Sequence, residues 1–252
     1  MDTHNEKSSR ALVISIVSHG QGNLIRSLLL DIALLDLSIF GSVLVVVTVN
    51  IPEDESYLEC CSHDLVVFHN VRPLGYGANH NQAFSPFRSD FFLVLNPDLR
   101  ITNFDFGLLV SGFVDNVGLV APAVISVDGN LEDSCRRYPS LVRLLVRTLI
   151  RRRDPDYAVL VAPTSLPISV DWVGGMFMLF SSEVFVALRG FDIKYFMYLE
   201  DADICRRANW LGFNVHYLPS QAVIHDAQRR SFKSWEHARW HFRSMFRFLF
   251  GL

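Results

Sequence analysis

The sequence of 252 residues contains only four cysteines, and they follow no metal-ligand spacing. They are Cys60, Cys61, Cys135 and Cys205. A disulfide between the adjacent pair would be strained. This usage of cysteine favours a reduced, cytoplasmic setting.

A long uninterrupted apolar run is also missing. The most hydrophobic window, residues 28–49, is broken by Asp31, Asp36 and Gly41. It therefore predicts a helix end followed by a strand, and not a membrane span. Residues 1–10 are polar and no apolar stretch follows a basic start, which predicts that there is no signal peptide. The chain is long enough to bury a real core, and it shows no internal repeat or low-complexity segment.

The formal net charge of −3 conceals an uneven distribution of basic residues. Residues 136–153 carry seven arginines and no acid, and residues 229–247 carry six bases and only Glu236. These two segments hold 13 of the 23 lysines and arginines, which leaves 10 bases against 25 acids, about −15, elsewhere. Such segregation predicts two basic surfaces that face something anionic.

Apolar runs alternate with helical patterns over residues 1–125. Buried strands are predicted at 12–17, 43–49, 65–68, 91–95 and 118–124, and helices at about 23–35, 53–61 and after a glycine loop at 74–77. This alternation predicts an α/β fold with a parallel, doubly wound sheet.

The second half has a different pattern. A strand is predicted over residues 170–180 with a glycine pair inside it, which marks a bulge or a close approach to a ligand. A helix is predicted to start near Glu200 and to be ended by Gly212. Two short strands are predicted at 213–217 and 222–224.

The strand over residues 91–95 ends sharply at Asn96-Pro97-Asp98. In open α/β sheets, ligands bind at the carboxyl ends of the strands. Asp98 is therefore well placed to hold a divalent metal and, through it, a phosphate. The alternative is an ordinary turn, because all three residues favour turns.

Several short motifs follow one another along the chain. They are LGYGANHN at 74–81, LNPD at 95–98, WVGG at 172–175, GFD at 190–192, YLEDAD at 198–203, VIH at 223–225 and Arg230-Ser231. Their order resembles that of the inverting glycosyltransferases of family 2, and is closest to short rhamnosyltransferase-like members that build bacterial surface polysaccharide. The resemblance covers nearly the whole chain.

The resemblance implies one domain with the GT-A fold, a Rossmann-like nucleotide-sugar-binding sheet flanked by helices, with a smaller acceptor-side half. The nucleotide-sugar-binding half would be 1–125, the acceptor and catalytic half 126–228, and a basic amphipathic C-terminal helix 229–252.

The resemblance also implies a metal site. Asp98 and His225 would hold Mg²⁺ or Mn²⁺, which stabilises the leaving nucleoside diphosphate as a Lewis acid. Both ions keep waters and phosphate oxygens as further ligands, so that one carboxylate and one imidazole suit either. The alternative for His225 is a histidine packed at a strand end.

The general base implied by the resemblance is Asp201, which would take the proton from the acceptor hydroxyl as that hydroxyl attacks the anomeric carbon. Glu200 would lie on the acceptor side. Asp203 is the second candidate for the base, but it could instead pair with Arg206 or Arg207. Acidic residues in the first turn of a helix are also favoured by the helix dipole alone.

The remaining positions carried over by the resemblance surround the donor and the acceptor. The donor-binding residues would be Ser18, His19, Asn50, Gly75, Asn81, Asn96, Asp98, Arg230 and Ser231. The acceptor-side residues would be Trp172, Gly174, Gly175 and Glu200. The chain departs from the family at residues 49–50, where Val-Asn replaces an aspartate that contacts the base and ribose.

The implied reaction is transfer of a sugar, L-rhamnose from dTDP-L-rhamnose, to a hydroxyl of a lipopolysaccharide, O-antigen or other surface-glycan acceptor. Another nucleotide sugar, linked to UDP or GDP, is an alternative, and so is a non-catalytic module that binds a sugar nucleotide or glycan. A nucleotidyltransferase would carry a lysine in the loop after the first strand, and residues 18–22 have none.

Two arginine ridges have helical spacing. Arginines recur every four residues at 143, 147 and 151 and again at 239, 243 and 247. Opposite the second ridge lie Trp235, Ala238, Phe242, Met245, Phe246 and Leu249. Such a helix suits an anionic membrane surface, with contact through 141–153 and 234–252 and a lipid-linked acceptor on the cytoplasmic leaflet. Alternatively its apolar face packs on the domain. No nucleic-acid-binding module accompanies the ridges, so no nucleic-acid partner is expected.

Overall fold

A computed structural model describes residues 10–140, 166–226 and 235–251. The first arginine ridge and the predicted diphosphate contacts Arg230 and Ser231 lie outside the described residues. Within the described part of the chain, no helix has the length and apolar character needed to cross a bilayer.

The first half forms the predicted parallel sheet. Its strands are β1 (Ala11–Ser18), β2 (Ser42–Val49), β3 (Asp64–His69) and β4 (Phe91–Leu95), in the spatial order β3-β2-β1-β4. The helices between them are α1 (Gly22–Leu34) and α2 (Tyr76–Phe84). The helix predicted over 53–61 is shorter, a 3-10 turn at Ser56–Cys60.

The second half adds shorter elements. They are β5 (Leu99–Arg100), α3 (Phe106–Val110), β6 (Val117–Ser126), β7 (Cys135–Arg136), β8 (Ile168–Val170), β9 (Trp172–Val173), β10 (Phe177–Ser181), α4 (Ser182–Ala187), α5 (Glu200–Trp210), β11 (Asn214–His225) and α6 (Trp235–Phe250). The sheet continues from β4 as β10-β6-β11-β5, and β8 pairs with β11.

The sheet is mixed, which corrects the prediction that it is parallel through residue 125. Strand β10 inserts antiparallel between β4 and β6, so the fourth and fifth predicted strands are not neighbours. Alternating apolar runs give no information on which strands pair. The strand predicted over 170–180 is also divided, because Gly174 and Gly175 lie in the connection between β9 and β10 and not inside a strand.

Strand β11 replaces the two short strands predicted at 213–217 and 222–224. It runs parallel to β6, with a shift of register between Leu218 and Ala222. Irregularities of this kind bend a strand. The end of β11, Ile224-His225, then pairs with β5, which follows β4 after only three residues. The bend therefore brings His225 beside the turn that carries Asp98.

The core occupies both faces of the sheet. All five residues of β4 are buried, as the sequence predicted. Phe91, Leu93 and Leu95 pack into the cluster that contains the apolar side of α1, and Phe92 and Val94 pack into the cluster under α4 and α5. A strand covered on both faces needs apolar residues at every position, which explains its unbroken hydrophobic run.

A buried ion pair joins α1 to β5. Asp31 is 5% exposed, and its carboxylate accepts hydrogen bonds from Arg100 Nε at 2.7 Å and Nη2 at 2.9 Å. It also accepts from the backbone N–H of Ile101 at 3.0 Å. The acid that interrupts the most hydrophobic window of the sequence is therefore fully paired.

Replacing Asp31 by alanine is expected to lower the free energy of unfolding by about 2–3 kcal/mol, because Arg100 and the Ile101 N–H lose their partner. Chemical denaturation measures this change. The control is Asp36→Ala in an exposed turn, with an expected loss below about 1 kcal/mol. Equal losses of unfolding free energy in the two variants would show that the buried Asp31–Arg100 pair adds no stability beyond that of an exposed acid.

Candidate functional site

The polar residues of the site lie at the carboxyl edge of the sheet. Strands β1, β2 and β4 are parallel, so Ser18, Asn50 and Asn96, which stand at or directly after their ends, share this edge. The Asn96 N–H donates to the Met176 carbonyl at 2.9 Å, which ties the end of β4 to the segment before β10. The predicted placement of these residues at strand ends is correct.

Asp98 and His225 are in contact, as the metal-site hypothesis requires. Asp98 Oδ2 lies 3.2 Å from His225 Nε2. The other ring nitrogen, His225 Nδ1, lies 2.8 Å from Glu132 Oε2. The Asp226 N–H donates to the Asp98 carbonyl at 2.9 Å, which fixes the two segments to each other.

The two carboxylates control the charge of this imidazole. Burial lowers the pKa of His225, but hydrogen bonds and charge attraction from Asp98 and Glu132 outweigh burial and raise the pKa to about 9. A metal binds only the neutral imidazole, so metal and proton compete for Nε2. Glu132 at Nδ1 is the type of partner that orients a metal-binding histidine.

The Asp98–His225 pair fits a divalent ion that draws its other ligands from elsewhere. Asp98 Oδ1 is buried and has no hydrogen-bond partner, so this oxygen is available to a ligand. In the described ranges, no group of three or more His, Cys, Asp or Glu side chains could hold an ion by itself. Mg²⁺ and Mn²⁺ sites commonly use one or two protein ligands and complete the shell with water and phosphate oxygens.

Asp201 is held by two backbone amides at the start of α5. Its Oδ2 accepts from the Gly175 N–H at 2.9 Å and its Oδ1 accepts from the Ala202 N–H at 2.8 Å. Burial raises the pKa of Asp201, and the two N–H groups oppose that rise. A carboxylate that is fixed in orientation and has a raised pKa suits a general base.

Tyr76 shows that the three predicted acids share one region. Burial raises its pKa well above the usual value, and the carboxylates of Glu200, Asp201 and Asp98 raise it further. Its hydroxyl donates to the carbonyl of Gly175, whose N–H binds Asp201. Asp98, Asp201 and His225 are therefore brought to one place from distant parts of the chain.

Glu200 is buried beside Asp201. Burial and the neighbouring Asp201 charge raise the pKa of Glu200 to about 8. Its Oε2 has no hydrogen-bond partner. Asp203, by contrast, pairs with Arg207 Nε at 2.7 Å and Arg206 Nη2 at 3.2 Å, as its spacing allowed. Those ion pairs account for Asp203 as a structural residue, which favours Asp201 as the base.

The donor end is organised by a network of amides. Asn50 accepts from the Leu74 N–H at 2.8 Å and from Asn70 at 2.8 Å, and donates to the Leu74 carbonyl at 3.1 Å. Asn70 also donates to Asn79 at 2.6 Å. Asn50 thus holds the loop before Gly75, in addition to a 3.3 Å contact with His19 Nδ1.

A cavity of about 530 Å³ lies next to this end of the sheet. It is formed by the start of α1 and by the segment after β2, with Gly20, Asn23, Arg26, Asp54 and Tyr57 in its wall. Ser18 is fully buried, and its hydroxyl accepts from the Gln21 N–H at 3.3 Å. Ser18 therefore supports this turn, whereas His19 is exposed.

Two residues predicted to contact ligands make hydrogen bonds inside the protein. Asn81, predicted to bind the donor, uses its amide to accept from the Phe191 N–H and to donate to the Phe191 carbonyl, both at 2.8 Å. Trp172, predicted on the acceptor side, is 5% exposed, and its Nε1 donates to the Arg137 carbonyl at 3.0 Å. Through these hydrogen bonds both residues support the loops around the site, and their contacts with donor and acceptor stay predictions.

The predicted glycines stand where side chains would collide or crowd. A Cβ at Gly75 would lie 2.6 Å from the carbonyl oxygen of Phe196, in the loop that leads to Glu200. A Cβ at Gly175 would lie 3.3 Å from the Tyr76 hydroxyl. Gly174 donates its N–H to Ser134 at 2.7 Å. These glycines keep the backbone close to the acidic residues.

Sequence reasoning missed Glu132 and the role of Tyr76. Glu132 belongs to no motif and lies in the connection after β6, so no local signal identifies it. Tyr76 stands in the quoted motif at 74–81, but only the fold shows that its hydroxyl faces Gly175.

Helix α6 docks on the domain through a face that the sequence did not single out. Tyr198 Oη and His237 Nδ1 are 2.7 Å apart, Ser244 Oγ donates to the Met197 carbonyl at 2.8 Å, and Phe248 is 3% exposed. The apolar side predicted to dock is instead exposed at Trp235, Phe242 and Phe246. Met245, on the same side, packs against the core, so the alternative that this side packs on the domain holds in part.

Comparison with known proteins agrees with this geometry. The family model described as glycosyltransferase like family 2 matches residues 11–246. The rhamnosyltransferase WbbL of Escherichia coli (strain K12) is 32% identical over 190 residues, which cover 69% of this chain and 70% of WbbL. The N-acetylglucosaminyl-diphospho-decaprenol L-rhamnosyltransferase of Mycobacterium tuberculosis is 28% identical over 172 residues, covering 60% of this chain and 55% of that protein.

Solved structures share the fold at low sequence identity. A mannosyltransferase from Pyrobaculum calidifontis, in complex with GDP-Man and Mn²⁺, aligns with a TM-score of 0.62 at 17% identity over 94% of this chain and 63% of that one. GalNAc-T7 with UDP, GalNAc and Mn²⁺ aligns with a TM-score of 0.68 at 16% identity over 96% of this chain and 48% of that one. The fold is GT-A, as predicted.

The family match covers nearly the whole chain, so the protein is a glycosyltransferase. It belongs to glycosyltransferase family 2.

The buried Glu200 predicts a pH-dependent stability. Its pKa of about 8 in the fold exceeds the ordinary value of 4.5, so the folded state holds this proton more tightly than the unfolded state does. The resulting stability is present below pH 4.5 and is lost as the pH rises through 8. Glu200→Gln cannot ionise, so its Tm is expected to exceed that of the wild type by several degrees at pH 9 and to match it near pH 4.5.

Thermal unfolding followed by circular dichroism at the two pH values tests this expectation. Glu183→Gln, which alters an exposed acid in α4, is the control and is expected to follow the wild type at both. A Glu200→Gln variant that loses stability at pH 9 would contradict the assignment.

Proposed function

We propose that this protein is an inverting, metal-dependent rhamnosyltransferase that moves L-rhamnose from dTDP-L-rhamnose to a hydroxyl of a surface-glycan acceptor. The observation that carries the proposal is the meeting of the Asp98–His225 pair with Asp201 around the Gly175 peptide. Support for the sugar comes from two relatives, both of which are named rhamnosyltransferases.

In the proposed mechanism Asp201 orients the acceptor hydroxyl and takes its proton as the hydroxyl attacks the anomeric carbon. The Gly175 and Ala202 N–H groups hold the carboxylate in one orientation. Glu200 lies beside it, and its raised pKa keeps it largely protonated at neutral pH, so that a single negative charge faces the acceptor. The hydroxyl attacks the face of the sugar opposite the diphosphate, and the bond from the anomeric carbon to the leaving dTDP breaks, so that this single displacement inverts the anomeric centre.

Asp98 and His225 would hold Mg²⁺ or Mn²⁺, which supplies Lewis-acid stabilisation to the leaving diphosphate. Support for a divalent ion comes from the unpartnered Asp98 oxygen and from the Mn²⁺ named with two structures of the same fold. Glu132 would orient the imidazole from its other nitrogen. The proposed diphosphate contacts Arg230 and Ser231 complete the set by resemblance.

The acceptor is proposed to be lipid-linked and the protein to work at the cytoplasmic face of the membrane. One relative is named for a diphospho-decaprenol acceptor. The exposed rings of α6 at Trp235, Phe242 and Phe246 lie along one side of the helix, next to its arginines. Such a combination suits an anionic bilayer surface.

Replacing Asp201 by asparagine is expected to reduce kcat by about 10²–10⁴-fold, because the amide cannot take the proton. The amide preserves the size of the side chain, and binding of dTDP is expected to stay unchanged. Release of dTDP from dTDP-L-rhamnose, and titration calorimetry with dTDP, measure the two quantities. Asp203→Asn in parallel tests the alternative base, and a larger kcat loss there would reverse the assignment.

Asp98→Ala is expected to weaken Mn²⁺-dependent binding of dTDP by about tenfold or more and to leave metal-free binding unchanged. Glu132→Gln keeps the imidazole present but loses the charge at Nδ1, so an intermediate effect is expected. Calorimetry with and without EDTA measures both. Unchanged Mn²⁺-dependent affinity in Asp98→Ala would remove its role as a ligand.

A donor screen separates the proposed function from its alternatives. Release of nucleoside diphosphate is measured with dTDP-L-rhamnose and with UDP- and GDP-linked sugars, each with Mg²⁺, Mn²⁺ or EDTA. Preference for a UDP or GDP sugar would replace the proposed donor. Nucleotide binding without turnover, in the presence of lipid-linked acceptor, would favour the non-catalytic module.

A further inference from the structure

A second cavity, of about 340 Å³, lies between α6 and the loop before α5. Four cationic side chains line it, Lys194, Arg239, Arg243 and Arg247, together with the rings of Phe196 and Trp240. We refer to this feature as the basic cavity. The three arginines are the ridge seen in the sequence, and the fold adds Lys194 from a distant segment.

The cations of the basic cavity form no ion pair within the described part of the protein, and Arg247 lies over the Tyr195 ring at 5.8 Å. None of the four cations has a carboxylate within ion-pair distance among the described residues. Arg247 Nε is buried and has no hydrogen-bond partner. Like charges gathered in a concave site attract an anion, and a group with several oxygens can bind more than one of them.

The wall of the basic cavity belongs to the loop that carries the catalytic acids. The Phe196 ring stacks on Trp240 at 4.8 Å, and the Phe196 carbonyl accepts from the Tyr76 N–H at 2.9 Å. Ser244, in the cavity wall, donates to the Met197 carbonyl at 2.8 Å. Asp201 follows four residues after Met197. The loop residues that line the cavity and the proposed base therefore belong to one short segment of the chain.

The neighbouring side of α6 indicates that the anion is attached to a lipid. Trp235 is 93% exposed and Phe242 is 73% exposed. At about 100° per residue these rings lie next to Arg239 and Arg243, and not opposite the ridge as predicted from the sequence. With 3.6 residues per turn, Trp235, Phe242 and Phe246 form one apolar stripe, and Arg239 lies at the edge of that stripe. An apolar stripe beside a cationic cavity matches a molecule with a phosphate head and a hydrocarbon chain.

We propose that the basic cavity binds the phosphate or diphosphate group through which a glycan acceptor is attached to its lipid. This deepens the proposed function and rests on it for the identity of the acceptor. The cavity would hold the acceptor by its phosphate while the sugar end reaches Asp201. The donor diphosphate has its own place, at Asp98 and His225.

Binding of inorganic pyrophosphate in EDTA tests the anion site without turnover. Arg243→Glu is expected to lower the affinity about tenfold or more, because one cation is lost and a repelling charge is introduced. Arg88→Glu makes the same charge change on an exposed surface elsewhere and is expected to have little effect. Arg243→Lys retains the charge and is expected to restore most of the affinity. Equal losses in both glutamate variants would overturn the proposal.

Two further measurements separate the sources of the anion and the two sites. Phosphatidylcholine vesicles that contain phosphatidic acid are expected to bind the wild type, to bind Arg243→Glu weakly and to be displaced by pyrophosphate. If vesicle binding changes neither in Arg243→Glu nor on addition of pyrophosphate, the anion bound by the cavity is not part of a lipid. Mn²⁺-dependent dTDP binding is expected to be the same in Arg243→Glu as in the wild type.

These outcomes are distinct from those that test the proposed function. If pyrophosphate binds at the basic cavity but no donor supports sugar transfer, the proposed function is contradicted and the proposed anion site is not. If the protein transfers sugar but Arg243→Glu leaves the affinity for pyrophosphate unchanged, only the proposal for the basic cavity is contradicted.

Discussion

Asp98, Glu200 and Asp201 lie close enough together that all three raise the pKa of the Tyr76 hydroxyl. Burying several carboxylates close together is unfavourable unless cations, protons or N–H groups compensate their negative charges. The protein uses all three means. His225 and the backbone amides of Gly175 and Ala202 compensate Asp98 and Asp201, and burial raises the pKa of Glu200 to about 8, which favours its protonated form. The arrangement explains why these loops are so closely fixed.

The loops of the site are held in place by a sheet in which, from β4 onward, strands from the two halves of the chain alternate. Strand β10 lies between β4 and β6, so the connection before it places Gly175 against the end of β4. The bend in β11 then brings its last residue back to the turn after β4. Neither half alone could assemble the site, because the Asp98–His225 and Tyr76–Gly175 contacts each join a residue of the first half to one of the second.

The sequence predicted the strands of the first half and the helix at Glu200, because apolar runs and glycine positions carry that information locally. It predicted the GT-A fold through a resemblance to a known family. It also predicted the pairing of Asp98 with His225, through a resemblance and not through spacing. It could not predict the antiparallel insertion of β10 or the partner role of Glu132. Both depend on contacts between residues far apart in the chain, which leave no pattern in a single sequence.

Two of the predicted site residues show the same limit. Asn81 and Trp172 stand in motifs that resemble those of the family, yet their polar groups bind the backbone of Phe191 and of Arg137. A motif residue can serve a site by supporting its loops, and residue type alone does not separate support from contact. Exposure and hydrogen-bond partners make that distinction.

The amide network of Asn50, Asn70 and Asn79 has a consequence for the donor end. Amide side chains neither gain nor lose protons in the range in which the neighbouring acids and His225 titrate. The hydrogen bonds from Asn50 that hold the loop before Gly75 therefore keep the same strength at acidic and alkaline pH. The hydrogen bonds among these amides do not depend on proton concentration, whereas the contacts of the acidic residues near Gly175 do.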